Sequence, residues 1–192
     1  MLEIRSRPQL AAQYTRLMED VGVAVGFTRP EPAEIPQARV VTAQLMGHDV
    51  AVAETILAIL AIQPASTLVF REAGAVTGVV ATLLLKPTAE ADLRAGAFSG
   101  LRPADAFLAR PSDPVTIYYL WGIAGATKTA SSAVMELSRR YRYQVLADLT
   151  AYAVAATPVG RHVGVTKLGF EAVRYPTDDL LVSPPVLTLV AA

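Results

Sequence analysis

The sequence predicts an α+β fold, a mixed and mostly antiparallel central sheet with helices packed on it. A helical part covers residues 1–65, and the whole chain, 1–192, makes one domain. Three stretches carry this expectation. A strand-like pair lies at 67–71 and 76–86, a β-rich run at 115–123 feeds an amphipathic helix, and strand and helix patterns then alternate to the end.

The pair at 67–86 is split by Glu72-Ala73-Gly74-Ala75, short and glycine-bearing as a hairpin turn requires. The run 115–123 is β-branched and aromatic, suiting a strand buried on both faces. Beyond Gly122 and Gly125 the residues Ala130, Val134, Leu137 and Tyr141 recur at helical spacing. Glu136, Ser138, Arg139 and Arg140 fall on the opposite side. Thr127, Thr129 and Ser131 are the candidate N-caps of that helix. A strand, a turn of small residues and a helix N-terminus together favour an anion, because unpaired N–H groups and the helix dipole point the same way. This turn is therefore the expected ligand site.

Before the hairpin, residues 2–5 read as a short strand and 9–21 as a helix. The proline-rich 28–36 reads as a loop, 38–46 as a helix, and 50–62 as a helix apolar nearly all round and so buried. His48, between Gly47 and Asp49, sits where a helix end needs a hydrogen-bonding residue. The four-proline segment 87–114, with a short helix at 89–98, is a lid, a binding loop, an oligomer contact or a plain surface excursion. Residues 143–153 read as a strand. Thr157-Pro158 opens a helix that Gly169 closes, and 170–174 with 180–190 form a last strand pair, Pro184-Pro185 falling at an edge or bulge.

Composition narrows the chemistry. Seventeen basic and 17 acidic residues give a net charge of zero, against a broad nucleic-acid surface. With no cysteine and only two histidines, thiolate chemistry and a histidine-rich metal site are excluded. No signal-peptide pattern or membrane-spanning run is present, so a soluble cytoplasmic protein is expected.

The hairpin with Gly74 and Gly78, the strand–turn–helix at 115–141, the strand at 143–153 and the ending ATPVGRHVGVTKLGFEAVR together resemble the GNAT acyltransferase superfamily over about residues 65–192. Lys167-Leu168-Gly169-Phe170-Glu171 is the most telling piece. The resemblance implies acetyl-CoA or another acyl-CoA as co-substrate and an amine, on a small molecule or a protein, as acceptor. It places the pantetheine arm along Trp121, Gly122 and Ile123, and the diphosphate on the backbone of Ala126, Thr127, Lys128, Thr129, Ala130 and Ser131.

The chain departs from the family pattern twice. The phosphate turn has Ala126, Thr129 and Ser131 where a basic or amide residue and two small ones, usually glycines, are expected. Val165 takes the place of the tyrosine that protonates the leaving thiolate. Tyr118, Tyr119 and Tyr152 are the hydroxyl candidates for that role. Glu54, Glu72, Asp148 and His162 are the candidate bases, and Asp148 is the sharpest of them. A catalytically degenerate sensor or interaction module is the alternative reading, and exposed sheet edges make a homodimer plausible. A further match, Gly122 to Thr129 against the P-loop pattern GxxxxGK[ST], fails at Thr127, where a glycine is needed for the backbone wrap.

Overall fold

In a computed structural model, which describes residues 9–47, 49–173 and 179–186, seven strands form one sheet in the order β1-β2-β3-β4-β5-β7-β6. The strands are β1 (Phe27–Thr28), β2 (Thr67–Glu72), β3 (Ala75–Leu85), β4 (Ile117–Gly125), β5 (Thr150–Val154), β6 (Glu171–Ala172) and β7 (Leu180–Ser183). Every neighbouring pair is antiparallel except β4 and β5, which are parallel and joined through the helix α5 (Lys128–Arg140). This is the expected mixed sheet, and the architecture resembles the GNAT fold.

The two faces are covered by different helices. On one, α1 (Ala11–Ala24), α5 and α6 (Pro158–Leu168) bury Tyr14, Met18, Val134, Leu137 and Leu168 against Val80, Leu84 and Tyr118. Full burial of a side chain such as Leu137 stabilises by about 2 kcal/mol. On the other face, α2 (Ile35–Met46), α3 (Ala53–Ile62) and α4 (Glu90–Ala95) pack over β2, β3 and β4.

Local sequence explains most elements. The hairpin turn is Ala73-Gly74 with both φ angles positive, 49° and 81°, the backbone sense that matches strand twist. Thr127 caps α5 by accepting from the Ala130 N–H at 3.0 Å, and Thr157 caps α6 by accepting from Gly160. Gly169 ends α6 at φ 71°.

Two expectations need correction, one of the alternatives for 87–114 falls away, and the P-loop mismatch at Thr127 gains a second ground. Residues 143–149 are not strand: a π-helical turn at Tyr141–Val145 extends α5, and β5 starts only at Thr150. The tyrosine-rich pattern suited a strand, but Tyr141 and Val145 are buried at helical spacing beneath α1, and the Tyr141 hydroxyl donates to the Met18 carbonyl at 3.0 Å. The helix α3 is buried on one side only, through Ile56 and Ile59, while Leu57 is exposed. The 87–114 segment is no surface excursion, since Leu93 and Leu108 are buried against Leu83, Leu85 and Tyr152. The P-loop match fails because Gly122 and Gly125 are strand residues of β4 in an antiparallel neighbourhood. The calls on residues 2–5, His48, 174 and 187–190 lie outside the described residues.

Candidate functional site at the parting of the parallel strands

The central feature is where β4 and β5 separate. Their ladder runs from Ile117↔Thr150 to Leu120↔Ala153 and stops. Beyond it, Gly122–Gly125 of β4 stay paired to β3, but the other edge of Trp121–Gly125 has no strand partner among the described residues. A β-bulge causes the divergence. Ala81 pairs with Gly122 and Thr82 with Leu120, so Trp121 is the extra residue, and an extra residue bends a strand and adds twist. The bulge also changes which way the side chains face. Tyr118 belongs to the α1/α5 core and Tyr119 to the opposite one. After the bulge both Trp121 and Gly122 face the α2 side, whereas Ile123 returns to the α5 side.

Two cavities open from this gap. A slot of about 300 Å³ runs between the strand ends and under α5 and α6, lined by Leu120–Gly125, Ala153–Thr157, Ser131, Val134, Met135 and Val163 among others. No ionisable side chain lines it. A second cavity of about 460 Å³ lies beneath α2, walled by Ile35, Ala38, Thr42, Val79, Ala81, Tyr119 and Trp121, with Arg39, Asp49 and Leu101 also lining it. Met46, Trp121, Gly122 and Val154 line both, so the two cavities adjoin at the sheet. Trp121 is held in place by its Nε1–H, which donates to the Gly100 carbonyl at 2.6 Å.

The turn after β4 looks different. Ala126 N–H donates to the Thr77 carbonyl, Ala130 N–H to the Thr127 hydroxyl, and Ser131 N–H to the Thr127 carbonyl at 2.8 Å. Ser131 Oγ donates back to the Gly125 carbonyl. Those three amides and that hydroxyl are committed within the chain, leaving Thr127, Lys128 and Thr129 as the amides with no such bond. The Glu72 carboxylate occupies the approach to this helix N-terminus, accepting from the Thr127 hydroxyl at 2.6 Å. That hydrogen bond from Thr127 is the main reason the Glu72 carboxyl is held below the usual carboxylate range. A carboxylate of the chain itself thus stands where an anion was expected.

The hydroxyl and carboxylate candidates are dispersed. Tyr119 alone of the three tyrosines lines a cavity; burial pushes its phenol up to about 12, so it stays protonated at neutral pH. Tyr118 is buried on the opposite face, also raised by burial. Tyr152 donates to Glu90 Oε1 at 2.9 Å beneath Arg94 and is raised to about 12, first by burial and then by that carboxylate. It ties β5 to α4 and lines neither cavity. Asp148 lies before β5 rather than on it, exposed, and accepts from the Tyr14 hydroxyl at 2.6 Å. Val165 is 39% exposed on α6 and lies outside the slot, while Glu54 and His162 are exposed on α3 and α6.

Sequence reading missed the α2 side. Arg39, whose Nε donates to the Ala51 carbonyl at 2.7 Å, together with Thr42, Met46 and Asp49 enters the larger cavity from a segment with no motif. The only sequence hint was the Gly47-His48-Asp49 stop after the helix. Among the described residues there is no cluster of three potential metal ligands, and no helix is long and apolar enough to cross a membrane.

No protein-family model and no curated protein matches the sequence. Among the solved structures similar to it are two at 14% identity each. One is GphF, a GNAT-like decarboxylase in complex with isobutyryl-CoA, with TM-score 0.43 over 67% of this chain and 64% of that one. The chain thus spans just under two thirds of that structure. The other is Ard1 from Thermoplasma volcanium, with TM-score 0.45 over 81% of this chain and 92% of that one. At these values the likeness says nothing about chemistry.

Proposed function

We propose that this chain binds an acyl-CoA thioester in the slot between β4 and β5 and transfers its acyl group to an amine. One observation carries the reading: the unpaired edge of Trp121–Gly125 borders two cavities that meet there. An extended amide-bearing arm can add to such an edge as a strand would, its thioester reaching the junction at Trp121 and Gly122. An amine entering from the rim at Asp49 and Leu101 attacks the carbonyl carbon. The new N–C bond forms as the C–S bond breaks, the amine loses its proton to solvent or a rim base, and the thiolate takes one up. Free β4 N–H groups can polarise the carbonyl, and protonated Tyr119 is the best-placed donor for the departing sulfur.

A second reading, binding without turnover, is favoured by the slot's lack of ionisable side chains and by Glu72 at the α5 N-terminus. Calorimetry with CoA and acetyl-CoA, followed by thiol release with an amine panel, separates the possibilities. Binding with turnover supports transfer, with Tyr119→Phe expected to lower kcat about 100-fold at unchanged CoA affinity. Binding with no turnover supports the second reading. Failure of either CoA species to bind at millimolar concentration removes both.

A further inference from the structure

We propose that the floor of the cavity beneath α2 takes the acyl chain of the thioester, and that the preferred chain is apolar and longer than acetyl. This rests on the acyl-CoA reading and deepens it.

The cavity has two chemically distinct parts. Its floor is Ile35, Ala38, Ile56, Val79 and Ala81 with Thr67, all less than 10% exposed, and the Thr67 hydroxyl, which has no partner among the described residues, is the one polar group there. Asp49 and Leu101, both exposed, mark the rim with Arg39. Bringing an ammonium to that floor would strip its hydration with no carboxylate among the floor residues, a large penalty. A hydrocarbon chain needs no polar partner there. The amine is therefore held to the rim, and the floor is left to the acyl chain.

The route between slot and floor is kept open by small residues. Gly122 pairs with Ala81 across the bulge, at the point where the two cavities join. A Cβ on Gly122 would stand 3.6 Å from both Met46 Sδ and Thr42 Cγ2, so any larger side chain would project into the neck. A thioester carbonyl held beside Gly122 directs its alkyl group through that neck. An acetyl methyl would leave most of the 460 Å³ unfilled, whereas this volume lies in the range of pockets that enclose whole small ligands.

The test is a binding series on the full chain with CoA, acetyl-, butyryl-, hexanoyl- and octanoyl-CoA, repeated with Thr42→Phe, which fills the cavity from the half-exposed face of α2. Affinity is expected to rise about fourfold per methylene beyond acetyl until the floor is filled. In Thr42→Phe the series is expected to flatten while the affinity for CoA itself is unchanged. A flat series in the wild type, or a full chain-length gain retained in Thr42→Phe, overturns the inference while leaving CoA binding intact. If neither CoA nor acetyl-CoA binds, the acyl-CoA reading fails separately, and octanoyl-pantetheine, which lacks the nucleotide, decides the cavity. Its binding, lost in Thr42→Phe, supports the chain site; its failure to bind overturns it.

Discussion

Two ends of one short segment behave in opposite ways. At Trp121–Gly125 the strand has lost its β5 partner and borders open, uncharged space. A few residues on, at Ala126–Ser131, the chain partly closes on itself: the Ala126, Ala130 and Ser131 amides bond internally, and the Glu72 carboxylate sits at the N-cap hydroxyl of Thr127. Both were anticipated as parts of one cofactor site. The contrast is between a helix N-terminus where the chain's own carboxylate competes with any anion and a strand edge with no strand partner among the described residues.

The largest effect that would break this contrast is at the closed corner. A Cβ on Gly125 would lie 2.5 Å from the Ser131 nitrogen and 2.6 Å from its Cα, backbone atoms that cannot rotate away. Gly125→Val is expected to lower stability by about 3 kcal/mol, read from urea unfolding. A stability loss below a few tenths would mean the corner is looser than described. Next comes the open end. Gly122→Leu projects into the neck between the cavities and is expected to weaken acyl-CoA binding at least about tenfold, with the melting temperature moving only a few degrees. Unchanged affinity there would place the ligand elsewhere.

The smallest effect sharpens the comparison through pH. The Glu72 carboxyl is lowered in the folded state from an ordinary value of 4.5, mainly by the Thr127 hydroxyl. Its contribution is therefore present above that ordinary value and is lost as pH falls through the lower folded one. The stability difference between wild type and Glu72→Gln should shrink across that interval on acidification, measured by denaturation at a series of pH values. Acyl-CoA affinity should stay within about twofold in the same variant; a tenfold gain would show that the corner does accept a diphosphate once its own carboxylate is removed.

Much of the fold was legible. The Ala73-Gly74 turn, the Thr127 and Thr157 caps and the Gly169 stop are local devices whose chemistry depends on a few adjacent residues. The site was legible in part. Trp121 and Gly122 do border the cavities, but the roles of Tyr118, Tyr152 and Asp148 depended on which face or helix they met. Sequence spacing could not reveal this, because the Trp121 bulge shifts the alternation by one residue. Glu72 read as a turn residue and a candidate base, and 55 positions separate it from its partner Thr127. Arg39, Thr42 and Asp49 carried no pattern at all.

By itself, the sequence determined the succession of helices and strands and the mixed sheet they build, since periodicity, caps and turn glycines act over a few residues. Only the tertiary structure decided where β4 leaves β5, which carboxylate stands at the α5 N-cap, and which side chains share a cavity. Those outcomes depend on contacts between residues tens of positions apart, and local chemistry leaves no mark of them in the chain.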